Sequence, residues 1–319
     1  MAIFRLQISS VTRSSGRRAT SAAAYRAGER LRDERSGEIQ NYSRRADVRH
    51  AEIFLPTQVA ATAAWAADRE RLWNTAERVE KRHNARVARE FQVSLPAELD
   101  GTQRIRLARA FAGEIAERYG VAVDLAVHDP RPGGDPRNFH AHLLATTREL
   151  TPTGLGAKTG LDMPARERQR HGLPDHRAEY VNVRARWAAL TNEALREAGL
   201  EARVDHRSLA AQGIEREPLP AIPILHLKME RRGLRSEVAE RLRAEYQERV
   251  ERRQEREASA RPGDLEAVRR QARETWLRMR ANALAPSAQP RAGRTAVQER
   301  GEAGREPARG LDAEDDYSR

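Results

Sequence analysis

His140 and His142, one residue apart, are the first residues in this chain whose type and spacing suggest chemistry. Residues 139–147 alternate, with Phe139, Ala141 and Leu143 apolar, so the segment reads as a strand with both imidazoles on its other face. Same-face neighbours lie about 6.5–7 Å apart along a strand. Residues 121–128 alternate as well: Val121, Val123, Leu125 and Val127 point one way, and Ala122, Asp124, Ala126 and His128 the other. If the two strands are neighbours, His128 joins the pair. Neutral imidazole is the commonest metal ligand, and a set of three leaves coordination positions open, as a catalytic metal needs. A metal held there grips a phosphate oxygen as a Lewis acid. The plain alternative is a row of histidines on a solvated sheet face. A one-residue shift in either strand breaks the cluster.

Tyr25 is the candidate nucleophile. Arg17, Arg18, Arg26 and Arg30 lie close to it in sequence, and positive charge favours the phenolate. Attack by a tyrosine oxygen on phosphorus gives a covalent phosphotyrosine and splits one hard step into two. The alternative is an amphipathic helix that simply buries a tyrosine. Tyr42 is a second tyrosine of the same kind, read here as structural.

These residues need elements to hold them. Residues 3–9, 50–55 and 88–95 join the two segments above as strands. Their polar faces add Arg5, Gln7, Glu90 and Gln92 to Asp124, His128, His140 and His142, making a cleft floor if all lie in one sheet. Helices are expected from Thr20 or Ser21 to Leu31, from Ala60 to His83, from a cap at Thr102 to Gly120, and from His176 to Ala198. Residues 151–176 read as a Gly/Pro-rich loop. Strands and helices do not alternate regularly. That disfavours a doubly wound parallel sheet and favours an α+β fold, an antiparallel sheet with helices packed on one face.

The chain has 319 residues, a formal charge of +11 and no cysteine. An arginine-rich positive balance is the usual footprint of a nucleic-acid partner. The missing cysteines exclude disulfides and thiolate metal sites, and fit a reducing cytoplasm. No long apolar run reads as a membrane span, and the N-terminal apolar stretch is too short for a secretory signal. Residues 1–223 are expected to form one domain, 224–284 a charged helical extension, and 285–319 a disordered tail.

The runs SAAAYRAGERL, VRHAEIFLP, RVAREFQVSLPAEL, VHDP…GGDPRNFHAHLLATTREL and LREAGLEARVDHRSLAAQGIEREP, in that order over roughly residues 1–220, resemble the MobA/MobL-type mobilisation relaxases of the HUH endonuclease superfamily. The resemblance implies a five-stranded HUH-type sheet with Tyr25 as nucleophile. His128, His140 and His142 would then hold Mg²⁺ or Mn²⁺, and Glu90 would act near them as acid or base. It further implies nicking and rejoining of single-stranded DNA at a plasmid origin of transfer through a 5′-phosphotyrosyl link. Accessory mobilisation proteins and a coupling protein would be partners, and the bacterial cytoplasm the location. Arg5, Gln7, Arg26 and the 129–138 and 151–170 loops are candidate DNA contacts. Two departures stand out: Asn138-Phe139-His140 lacks the proline common at its centre, and Gln92 stands where some members carry a second carboxylate. Glu38, Glu52 and His206 are weaker candidates, and Asp129 and Asp135 read as turn formers. A rolling-circle replication initiator of the same fold, a water-using phosphoesterase and a DNA-binding accessory protein without catalysis are the competing functions.

Overall fold

Alternating side chains make each strand two-faced, and the sheet forms where the apolar faces can be covered together. The computed structural model describes residues 2–259 and 262–284, and the expected tail at 285–319 lies outside them. The chain divides into two units, residues 1–207 and 208–319.

The first unit runs β1 (Leu6–Thr12), α1 (Ala19–Ala27), β2 (Arg30–Arg32), β3 (Ile39–Asn41), β4 (Val48–Phe54), α2 (Thr57–Ala60), α3 (Arg69–Val79) and β5 (Arg86–Ser94). It continues with α4 (Gly101–Tyr119), β6 (Val123–His128), β7 (His140–Thr146), β8 (Arg148–Thr151), β9 (Gly154–Lys158), α5 (Ala165–Arg170) and α6 (His176–Glu197). In the second unit the described residues form α7 (Ile224–Arg231), α8 (Glu237–Ser259) and α9 (Pro262–Leu284). Among the described residues, no helix is long and apolar enough to cross a membrane.

The central sheet has five strands in the order β1-β5-β7-β6-β4, and every neighbouring pair is antiparallel. This is the expected α+β sheet. On one face, Phe91, Val93, Leu125, Val127, Ala141 and Leu143 are buried with Phe111 and Ile115 of α4 and Trp187 and Leu195 of α6. The Phe111 and Trp187 rings sit 5.0 Å apart at the centre of this layer. The opposite face is divided along its length. One end, with Val11, Ala88, Ala122 and Leu144, is covered by Ala23 and Ala24 of α1 and by Leu72 and Trp73 of α3. The other end carries the histidines.

That division changes the part played by Asp124. It shares the histidine face by phase, yet it lies buried under α3 and is not on the cleft floor. Arg69 Nε donates to it at 2.9 Å, and so does Trp73 Nε1 at 2.9 Å.

Several boundaries differ from the sequence expectation for local reasons. The helix bearing Tyr25 stops at Ala27, because Gly28 takes φ 68°. Leu31 then lies in a short ribbon of β2 on β3. The helix expected over 60–83 is interrupted, because Asp68 takes an extended conformation and accepts from Arg71 N to start α3 afresh. Helix α4 begins two residues earlier than expected: Asp100, not Thr102, caps it, in a reciprocal capping box with Gln103. The supposed loop at 151–176 holds the β8–β9 hairpin and α5. Pro152 lies in the turn between β8 and β9 and Pro164 caps α5, while Gly154 and Gly156 lie within β9.

Replacing Asp124 by Ala takes from the buried Arg69 guanidinium one of its two carboxylate partners, leaving Glu29, and removes the acceptor of the Trp73 N–H. Loss of one partner of a buried pair costs about 3–5 kcal/mol. Urea unfolding of Asp124→Ala should show a loss of that size, while divalent-metal affinity measured by calorimetry stays near that of the parent chain.

Candidate active site

Strand register assembles the histidines. His128 is directly opposite His140 across the β6–β7 ladder, and His142 is paired with Ala126, two residues further along. The three rings stand 5.2, 5.0 and 5.3 Å apart by centroid. One nitrogen from each lies within 4.8 Å of the others, a spacing that one ion could bridge after small rotamer adjustment.

One nitrogen of each ring is engaged in a hydrogen bond. His128 Nε2 donates to the Arg26 carbonyl at 2.7 Å, and His140 Nδ1 to the Asn138 carbonyl at 2.9 Å. His142 Nδ1 meets Glu90 Oε1 at 2.6 Å. A carbonyl can only accept, so in these tautomers Nδ1 of His128 and Nε2 of His140 carry the free lone pairs. The Glu90 bond leaves Nε2 of His142 in the same state. Metal-binding histidines are oriented in this way, with the far N–H on a carbonyl or carboxylate. Burial pushes the pKa of His128 down to about 4 and that of His140 down as well. Both rings are therefore neutral, the form that binds a metal. The donor set fits a divalent cation.

Glu90 is wholly occupied. Its two oxygens accept from Arg26 Nε and Nη2, each at 2.6 Å, and one also meets His142. Burial alone would raise its pKa, but the His142 and Arg26 hydrogen bonds reverse that and hold it well below the usual carboxylate range. The resemblance gives Glu90 an acid or base role near the metal, and the contacts it makes here are with the His142 ring and the Arg26 guanidinium. Glu90 can fix the His142 ring. Arg26, a candidate DNA contact, gives its Nε and Nη2 donors to Glu90 and Nη1 to the Ala22 carbonyl.

Tyr25 sits in the last turn of α1, a helix tied at both ends. Glu77 Oε1 accepts from Ala19 N at its start. Gly28 ends it with a positive φ, and a Cβ there would come 3.0 Å from Val48 Cγ2. The Arg26 carbonyl that meets His128 follows Tyr25 in the chain, so the helix end leans on the imidazole cluster. The Tyr25 ring is 37% exposed. It is held edge-on by Tyr42 at 5.1 Å between centroids, and Arg45 Cζ stands 4.1 Å from its centroid. Arg45 also donates to the Tyr25 carbonyl at 2.6 Å and to Asp47 at 2.8 Å. That bond brings the Asp47 carboxyl down to about 2. Arg131 Nη2 donates to the Tyr25 hydroxyl oxygen.

The cations around Tyr25 are thus Arg45 and Arg131, distant in sequence, and not the neighbours the sequence suggested. Arg18 pairs with Glu38, and Arg26 with Glu90. Arg131 lies in the Pro/Gly loop between His128 and His140, where the sequence offered only that position as a signal. Arg5 and Gln7 bond to each other at 2.8 Å, and Gln92 stands opposite His142 and Gln7. The weaker candidates are placed in other pairs: Glu52 with His50 and Arg109, Asp129 with Arg49, Asp135 with Arg137, and His206 beside Asp205.

Comparison with known proteins adds a family context. The profile of the MobA/MobL family matches residues 17–232. The mobilization protein MobL of Acidithiobacillus ferridurans is 39% identical over 245 residues, 68% of this chain and 61% of its own length. The probable mobilization protein MobA of Bifidobacterium longum (strain NCC 2705) is 33% identical over 249 residues, covering 68% of this chain and 42% of its own. The chain thus spans less than two thirds of these relatives. A solved structure described as the molecular basis of vancomycin resistance transfer in Staphylococcus aureus is 31% identical, with a TM-score of 0.55 over 65% of this chain and 100% of that one.

The His128 shift has a measurable sign. Unfolded, the ring takes a proton near pH 6.5; folded, it resists until about pH 4. Its contribution is therefore full above about pH 6.5 and is lost as pH falls towards the folded value, at roughly 1.4 kcal/mol per unit. In metal-free urea unfolding, the stability difference between the parent and His128→Gln should shift by about 2–3 kcal/mol against the parent between pH 7 and pH 4. A constant difference would show that the ring protonates freely in the fold.

Proposed function

This chain belongs to the MobA/MobL family, and from that premise we propose that it is a DNA relaxase, nicking and rejoining one strand at an origin of transfer. The observation that carries the reading is the pairing of a partly exposed tyrosine with three imidazoles that each bring a nitrogen within 4.8 Å of the others. Each half alone is common. Together, on one sheet end and one helix end joined by the His128–Arg26 bond, they suit attack on a phosphodiester.

In the proposed reaction the Tyr25 oxygen forms a bond to phosphorus and the 3′ oxygen leaves. The phenolic proton passes to solvent water, and the departing 3′ oxygen takes one from solvent, so protons balance over the step. The products are a 5′-phosphotyrosyl chain and a free 3′-hydroxyl, and the reverse step rejoins the strand. His128, His140 and His142 are the residues that would hold Mg²⁺ or Mn²⁺, which when bound polarises the phosphate and neutralises its charge. Glu90 keeps the His142 ring turned with its far nitrogen outward, and Arg26 keeps Glu90 ionised. Arg45 and Tyr42 fix the plane of the nucleophile's ring. Residues 1–223 are assigned the nicking chemistry. Single-stranded DNA is the substrate, and accessory mobilisation proteins and a coupling protein are the proposed partners.

The test is a covalent adduct. Purified chain, Mn²⁺ and labelled single-stranded oligonucleotides tiling the origin-of-transfer region of its own replicon are run on a denaturing gel. A shifted band should form on one tile, vanish in Tyr25→Phe and vanish with EDTA. Cleavage without a shifted band would replace the tyrosine nucleophile by water. Binding with neither outcome on any tile would favour a non-catalytic DNA-binding protein.

A further inference from the structure

The Tyr25 hydroxyl oxygen receives a hydrogen bond from Arg131 Nη2 at 2.5 Å. The same guanidinium has its Nε 3.6 Å from Asp47 Oδ2, so it is held between a carboxylate and the phenol. The two arginines at this tyrosine are used differently. The Arg45 side chain is 12% exposed, and its donors go to Asp47 and to the Tyr25 carbonyl while its plane covers the ring. It holds the ring and does not touch the hydroxyl. Arg131 is 63% exposed and reaches the reacting atom from the solvent side. Its loop is fastened at both ends by the histidine cluster, leaving β6 after His128 and entering β7 at His140. A turn closes behind it, with Gly134 N donating to the Arg131 carbonyl at 3.0 Å and Gly133 at φ 75°.

Resting on the nicking reaction proposed above, we infer that Arg131 is a catalytic residue that stabilises charge on the Tyr25 oxygen in both directions. In the forward step the oxygen is the nucleophile: the Oη–P bond forms and the P–O3′ bond breaks. In the reverse step the P–O3′ bond forms and Oη leaves carrying the electron pair. Negative charge rests on Oη at the start of one step and at the end of the other, within reach of the same donor. In the adduct, Oη is an ester oxygen and a weak acceptor. The planar fork of Arg131 then turns to the non-bridging phosphate oxygens, for which its geometry is suited. A lysine supplies the charge without the fork.

The experiment uses the full chain, Mn²⁺ and the oligonucleotide tile on which the parent forms its adduct. Adduct formation is followed in single turnover at saturating protein. Rejoining is followed from isolated adduct on addition of a strand with a free 3′-hydroxyl. Loss of one donor to a developing oxyanion slows a reaction on the order of 100-fold. Arg131→Ala should slow both directions by about that factor, and Arg131→Lys should fall between. Affinity for the uncut tile, read by fluorescence anisotropy, should change far less. Arg131 is exposed in a loop, so both variants should fold, as urea unfolding will verify. Parent-like rates at saturation, or a loss confined to affinity, would overturn the inference and leave the nicking reading standing. A parent chain that forms no Tyr25 adduct on any tile would overturn the nicking reading, and the inference with it.

Discussion

Across the β6–β7 ladder His128 faces His140, and every feature of the candidate site depends on that pairing. Side chains in a strand alternate with a period of two, so a slip of one residue would send His128 into the apolar layer and bring Val127 to the site. The register is pinned from behind. Leu125 is opposite Leu143 and Val127 is opposite Ala141, all buried against α4 and α6. A slip would bury imidazoles and expose this core at once. The histidines are therefore placed by the hydrophobic layer on the far face, not by attraction among themselves.

A second constraint sets the electrostatics. Three imidazoles crowded together are tolerable only if neutral, and partial burial keeps His128 and His140 so. Glu90, bonded to the His142 ring, orients it and is itself neutralised by Arg26. Around Tyr25 the balance is opposite. Arg45 and Arg131 bring two positive charges against the single carboxylate of Asp47. A set of imidazole donors beside a positively charged tyrosine pocket is the arrangement on which the proposed attack at a phosphodiester rests. The link between the halves is a backbone one, from the Arg26 carbonyl to His128, so it depends on where α1 ends and thus on Gly28.

The sheet and the imidazole cluster were legible in the sequence because both follow from strand phase. Phe91, Val93, Leu125 and Leu143 announced one face, and His128, His140 and His142 followed by parity. Phase says nothing about what lies on top. Asp124 has the phase of the histidines and is nevertheless buried beneath α3 by Arg69 and Trp73. The arginines near Tyr25 were misread for a related reason. Arg26 is adjacent in sequence but turns back to Glu90, while Arg131 arrives from a loop some hundred residues away. Glu90 was placed correctly on the face, but its partners, which decide between proton transfer and orientation, are tertiary facts. The β8–β9 hairpin and α5 were hidden because their Pro and Gly content is the same whether a segment is a loop or a chain of short elements.

We propose that the sheet end is a preassembled three-imidazole metal site. Pulsed electron paramagnetic resonance of the Mn²⁺-loaded chain tests it directly, by counting coupled imidazole nitrogens. One Mn²⁺ per chain coupled to three is expected, falling to two in His142→Ala with a matching loss of affinity. Mn²⁺ that couples to no imidazole, or that binds His140→Ala and His142→Ala as tightly as the parent, would contradict it.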